Sequence, residues 1–270
     1  MVAGSIVAGS KFAASTTVPI FPDLAGKVAV VTGSSRGIGA ETARYLALNK
    51  VKVVVNGRDQ HALDQVVSKI QSLGGEAIGV TADCTKHDQI DGMRQRVEEQ
   101  YGGTDLLIAF AGGGGPLEPI EELSEERWDS LLRENLTSKF LTVKCFLPGM
   151  KRKEAGSIVL MSSSAGRAAS RASLAYSSAQ AGVVMLARNL AQQLGKDHIR
   201  VNAIAPSAIR NERMERFMSK EQQEDVARSH PIPRLGEPQD VAAATLFLCS
   251  DSSSWITGVT IDLAGGKVMV

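Results

Sequence analysis

A chain of 270 residues that is 43% hydrophobic and 22% charged can bury a full core and falls within the range of one large α/β domain. Thirty basic against twenty-nine acidic residues leave a formal charge of +1, so no net field favours nucleic acid or an anionic membrane surface. The expected partners are small molecules and further copies of the chain. Cys84, Cys145 and Cys249 are widely separated and form no CxxC, which suits a reducing compartment, and the four histidines show no ligand spacing, so no metal site is expected.

In chain order, residues 1–22 are rich in Ala, Ser, Thr and Val, but Lys11 and the glycines interrupt any apolar run and there is no arginine. This stretch reads as a mobile arm rather than a secretory or transit signal, ahead of one domain over 23–270. No later stretch reaches the ~18 apolar residues of a membrane span, and a cytoplasmic protein is expected. Short β-branched runs at 27–32, 51–56, 76–81, 105–110, 157–161, 199–204 and 260–263 alternate with helical-period segments at 37–48, 60–73, 86–101, 124–147, 172–194 and 238–248. Several of the strands are apolar on successive positions, as strands covered on both faces must be. The pattern predicts a single-domain α/β fold, a Rossmann-type doubly wound parallel sheet of about seven strands. The connection over 206–233 is long and irregular, with an amphipathic stretch around Met214, Phe217 and Met218 that suits a substrate lid or a solvated surface helix.

Thr32-Gly33-Ser34-Ser35-Arg36-Gly37-Ile38-Gly39 follows the first strand and opens the first helix. Gly33 permits the tight turn, Gly37 lets backbone approach a pyrophosphate, Gly39 allows close helix packing, and the helix N-terminus supplies partial positive charge. The placement predicts a dinucleotide site. At the end of the second strand a carboxylate would accept from a free ribose 2′-hydroxyl, but Asn56-Gly57-Arg58 stands there. Arg36 and Arg58 are suited to converge on a 2′-phosphate, so NADP(H) is expected over NAD(H). Asp83, with the Cys84 backbone, suits an adenine amino group or, alternatively, a helix N-cap. Ala111-Gly112-Gly113-Gly114-Gly115-Pro116 lets the chain after the fourth strand pass close to a ligand such as the nicotinamide ribose, or is simply a loop.

Tyr176 carries the candidate chemistry. A phenol with a pKa near ~10 exchanges protons at neutral pH only where its phenolate is stabilised. A lysine one helical turn later would do that, and Gln180 occupies the position with the reach but not the charge. These features together resemble the short-chain dehydrogenases/reductases over roughly residues 24–266. The resemblance is carried by Thr32 to Gly39, Asp83, Asn135 in Glu-Asn-Leu-Thr-Ser, Ser163, Tyr176, the Arg234-Leu235-Gly236-Glu237-Pro238 segment, Gly258 and Gly265-Gly266. It implies that Ser163 bonds a substrate carbonyl, Tyr176 is the general acid/base, and Asn135 holds a water in a proton relay. It also implies a homotetramer or homodimer formed through the helices at 124–147 and 172–194. NADPH-dependent carbonyl and 3-oxoacyl reductases look most alike in pattern.

The chain departs from that family in three places. Ala109-Phe110-Ala111-Gly112 stands for the usual Asn-Asn-Ala-Gly, Pro206-Ser207 for Pro-Gly, and Gln180 for the active-site lysine. Loss of the cation should spare cofactor binding more than catalysis, and reduction of a carbonyl more than oxidation of an alcohol. The leading expectation is an NADPH-dependent reductase of a small-molecule carbonyl, with Ala168, Ala169 and Leu174 near an apolar pocket. The alternative is a divergent member that binds NADP(H) with attenuated or non-redox activity.

Overall fold

The computed structural model describes residues 17–114 and 117–270, so most of the expected arm, and Gly115 and Pro116 of the glycine run, lie outside the described residues. Seven strands, β1 (Val28–Thr32), β2 (Lys52–Gly57), β3 (Glu76–Thr81), β4 (Leu106–Ala109), β5 (Gly156–Met161), β6 (Ile199–Pro206) and β7 (Thr260–Leu263), form one parallel sheet in the order β3-β2-β1-β4-β5-β6-β7. The side-chain period of two divides β1 to β6 between two cores, while β7 adds Ile261 and Leu263 to the first alone. In β1, Ala29 and Val31 face one and Val28 and Val30 the other.

The first core is closed by α1 (Gly37–Leu48), α2 (Gln60–Ser72) and α9 (Pro238–Cys249), which contribute Leu46, Leu63 and Leu246. The second is closed by α3 (His87–Tyr101), α5 (Ser138–Arg152) and α6 (Leu174–Leu194), through Ile90, Phe146 and Val183. Each such side chain stabilises the fold by roughly 1.5–3 kcal/mol relative to exposure. The strand order reverses between β1 and β4, and the carboxyl ends of those two strands open the crevice where ligands of doubly wound sheets bind.

Three expectations need correction. The helix expected over 124–147 is α4 (Glu125–Leu132), a π-helical turn over Arg133–Thr137, and α5, which runs on through Pro148 to Arg152. Burial of Cys145, Phe146 and Met150 keeps α5 helical past the proline, tertiary packing outweighing the lost backbone bond. The connection over 206–233 is not irregular. It holds α7 (Glu212–Phe217) and α8 (Lys220–Arg228), started by Asn211 and by a Ser219–Gln222 capping box. The arm is tied down before Pro22. The Phe21 N–H donates to Asn49 Oδ1 (2.7 Å), Asn49 Nδ2 donates to the Pro19 carbonyl (3.0 Å), and Val18 and Phe21 pack on the core. Among the described residues no helix is long and apolar enough to cross a membrane.

The 3-10 turn after β5 (Ser164–Gly166) rests directly on α6. The Ser162 hydroxyl donates to the Gln180 carbonyl (2.9 Å), and a Cβ on Gly166 would lie 2.5 Å from the Gln180 carbonyl carbon. Gly166→Ala should therefore push the turn off the helix and cost about 1–3 kcal/mol in urea denaturation. Gly92→Ala, in α3 with open space around it, should instead stabilise by about 0.5–1 kcal/mol.

Candidate active site

The turn from β1 into α1 is built against the end of β4. The Thr32 hydroxyl accepts from the N–H groups of both Phe110 and Ala111, each at 3.1 Å. Gly33 has φ +66°, and a Cβ there would lie 2.9 Å from Ala111 Cα, so only glycine fits both the conformation and the approach. Gly39 packs helix onto turn, since its Cβ would fall 2.3 Å from the Gly33 carbonyl oxygen. Ile38 is partly buried against the core on the first turn of α1. Phe110 is buried in the core.

A cavity of ≈ 560 Å³ opens at this switch point, and Gly33, Ser35, Arg36, Gly57, Arg58, Asp83, Cys84, Ala111 and Gly112 all line it. Both arginines are exposed, and neither has an acidic partner within salt-bridge distance among the described residues. A Cβ on Gly57 would meet Ser35 Cβ at 3.0 Å, a tight contact that the Ser35 side chain would have to yield to. Asp59 also lines the cavity, but its carboxylate caps α2 by accepting from Ala62 N–H (3.2 Å). Burial alone would raise the Asp83 carboxyl, yet the Thr85 N–H (2.9 Å) and hydroxyl (2.8 Å), with Arg58 and Lys86 nearby, hold it below the usual carboxylate range. Burial pushes the Cys84 thiol up to about 11, and it donates to Asn56 Oδ1 (3.2 Å). The thiol is therefore inert at neutral pH.

Ser163, Tyr176, Asn135 and Gln180 come together from three elements. The π-helical turn, a device frequent at functional sites, sets the buried Asn135 side chain between the β4 loop and α6. Asn135 Oδ1 accepts from Gly113 N–H (3.0 Å), while Nδ2 donates to the carbonyls of Gly113 (2.9 Å) and Leu131 (3.0 Å). Those backbone partners fix which atom of the amide is oxygen. The Gln180 atom 3.3 Å from Asn135 Oδ1 is therefore the donor Nε2, and Gln180 Oε1 is left buried with no hydrogen-bond partner. An unsatisfied buried acceptor costs about 1–3 kcal/mol, which a donor from water or ligand would offset.

Tyr176 lies a helical turn before Gln180 on α6. Burial raises its phenol above the ordinary tyrosine value, and hydrogen bonding from the side chains of Ser163 and Gln180 opposes but does not overcome this. The Ser163 oxygen also accepts from Ala165 N–H (3.2 Å), which orients its hydroxyl. No cation acts on the phenol.

The expected lid stretch lines a different cavity of ≈ 600 Å³, bounded by Met218, Arg210, Gln223 and Leu235 and not by Ser163 or Tyr176, while Phe217 is 71% exposed. Ala168, Ala169 and Leu174 are exposed near the start of α6. Two further features escaped the sequence reading. Lys139 is buried and donates to the carbonyls of Ala111 and Asn135. Its spacing of four from Asn135 was the available signal. Ser207 pairs with His230 Nε2 (3.1 Å), a long-range contact that no local pattern announces.

Comparison with known proteins places this arrangement among relatives. A family model described as enoyl-(acyl carrier protein) reductase matches residues 33–267. The chain is 35% identical to 7alpha-hydroxysteroid dehydrogenase of Escherichia coli K12, over 91% of this chain and 95% of that one. It is 36% identical to human dehydrogenase/reductase SDR family member 4 (90% and 88%) and 32% identical to the 3-oxoacyl-(acyl-carrier-protein) reductase FabG of Thermotoga maritima (91% and 99%). The solved structure of 7alpha-hydroxysteroid dehydrogenase with NADH and 7-oxo glycochenodeoxycholic acid superposes with a TM-score of 0.86 at 34% identity, covering 92% of this chain and 96% of that one. With nearly its whole described length matched in sequence and in fold, the chain belongs to the short-chain dehydrogenase/reductase family of oxidoreductases.

Proposed function

We propose that the chain is an NADPH-dependent reductase of a ketone or similarly polarised double bond in an apolar small molecule, with weak alcohol oxidation. The observation that carries this reading is the cluster of Ser163, Tyr176, Asn135 and Gln180, in which the one buried acceptor without a partner, Gln180 Oε1, meets the need of a ribose hydroxyl for an acceptor. The bare backbone at Gly33 and Gly112 lets a dinucleotide lie close to the sheet, and the N-terminus of α1 faces its phosphates. When bound, the nicotinamide supplies the hydride.

The residues of the chain do the rest. Arg36 and Arg58 offer planar donors for a 2′-phosphate, and glycine at position 57 supplies no carboxylate that would favour a free 2′-hydroxyl. Ser163 donates to the substrate carbonyl and orients it. Tyr176, held as a neutral phenol by burial, then donates its proton to the developing alkoxide. Donation needs no cation in the ground state. Oxidation needs the phenolate first, and a unit charge about 4 Å away would have been worth about 4 kcal/mol to it at an effective dielectric near ~20. The raised phenol also favours the second reading, a dinucleotide-binding member with attenuated turnover. Measured turnover on a panel of ketones decides between the two.

In fluorescence titration NADPH should bind at least several-fold more tightly than NADH, and Arg58→Ala should shrink the gap. Equal affinities in the unchanged protein would refute the arginine argument.

The pH dependence has a definite sign. Because the Tyr176 phenol is raised, alcohol oxidation should be weak at neutral pH and climb into the alkaline range as phenolate forms, whereas ketone reduction should persist until the phenol ionises. Gln180→Lys should move the oxidation rise to lower pH. A pH–rate profile of both proteins with one alcohol–ketone pair checks this, and an oxidation rate already flat near neutrality would mean that another group activates Tyr176.

A further inference from the structure

Lys139 has no role in the chemistry above, yet it is the most unusual charged residue in the fold. It is 1% exposed, and its Nζ donates to the carbonyl oxygens of Ala111 (2.9 Å) and Asn135 (2.8 Å). No carboxylate lies within salt-bridge distance of it among the described residues. A buried ammonium with only carbonyl partners has its dipoles but lacks its counter-charge.

The groups around it account for its isolation. On the turn after β3, Cys84 is the one titratable group whose charge reaches it, and that thiol is neutral at physiological pH because burial raises it to about 11. Asp83, the next residue back, is engaged with Thr85. On the π-helical turn, the Glu134 carboxylate accepts from the Ser130 hydroxyl (3.2 Å). The β4 loop brings only Ala111 and Gly112, neither of which can titrate. Burial accordingly holds the lysine down at about 7 in place of 10.5.

What the amine lies against is the dinucleotide groove. Ala111, Gly112, Cys84 and Ser138 all line that cavity, and a Cβ on Gly112 would fall 3.3 Å from Lys139 Nζ, so a residue without a side chain separates the amine from the groove. We propose that Lys139 is a buried proton acceptor coupled to the anionic dinucleotide, its amine taking up a proton when the ligand settles against Ala111 and Gly112. The inference rests on the reading of the groove as a dinucleotide site. The step balances simply: one proton passes from the buffer to Nζ, and no bond of the ligand changes.

The test is proton uptake on binding, which does not depend on turnover. At pH 8 an amine titrating at about 7 is about nine-tenths neutral, while a 2′-phosphate is already ionised. Calorimetric titration of the full chain with NADPH in HEPES and in Tris should give enthalpies that differ by the uptake of about 0.4 proton per ligand if binding raises the lysine by one unit, and by more for a larger rise. The dissociation constant should weaken at least about fivefold from pH 7 to pH 9 if binding raises the lysine by one unit, and more for a larger rise. Lys139→Met, and Lys139→Arg as a permanently charged second variant, should each abolish the uptake. The wild-type buffer comparison stands without either variant. Tight binding with no proton uptake overturns the role of Lys139 and leaves the groove intact, whereas no binding of NADPH or NADH overturns the dinucleotide reading and this inference with it.

Discussion

The geometry of the candidate site depends on one buried amide. Asn135 sits in the π-helical turn with its oxygen accepting from Gly113 and Gln180 and its nitrogen donating to Gly113 and Leu131. Those four bonds join the loop after β4, the turn between α4 and α5, and α6. Because both amide atoms are committed to backbone partners, the rotamer has no freedom, and the orientation passes to Gln180. The π-helical turn makes this possible, since an uninterrupted helix from Glu125 to Arg152 would direct its side chains differently.

The same amide explains how a glutamine at position 180 behaves. A lysine there would bring three donors and a charge, while Gln180 spends its donor side on Asn135 and Tyr176 and leaves an acceptor facing inward. Compared with a lysine, such a side chain has an acceptor free where the ammonium would have only donors. The charge is not replaced at Tyr176, where burial is the dominant influence on the phenol. A lysine does occur in the neighbourhood, one helical turn after Asn135, but it bonds the backbone of Asn135 and does not act on the phenol.

Much of the fold was legible because the strands are short β-branched runs and the helices between them carry strong periodicity. All seven strands lie within two residues of their expected ends. The Gly33 to Gly39 turn was legible because glycine at fixed offsets has few physical explanations. What escaped were features set by tertiary contact. The π-helical turn has no local signature in Arg-Glu-Asn-Leu-Thr, and α5 passes Pro148 because Phe146 before it and Met150 after it are both buried. The two helices α7 and α8 were hidden by reading the charged stretch as one irregular connection, although Asn211 and the Ser219–Gln222 pair are ordinary start signals. In the candidate site, the Tyr176–Gln180 pairing was suggested by spacing and Ser163 by the family resemblance, while the burial that raises the phenol, the unsatisfied oxygen of Gln180 and the isolation of Lys139 required the packed structure.

The most direct measurement of the central claim is the ionisation of Tyr176 itself. The chain has three tyrosines, so carbon-13 labelling at tyrosine Cζ gives a spectrum simple enough to follow through a pH titration, with Tyr176→Phe assigning the signal. Burial raises all three phenols, Tyr101 to about 12, so no resonance should titrate below the ordinary tyrosine value in the unliganded protein. Gln180→Lys should move the Tyr176 resonance alone downward. A wild-type Tyr176 signal that already titrates near neutral pH would contradict the claim that glutamine at position 180 leaves the phenol without electrostatic support.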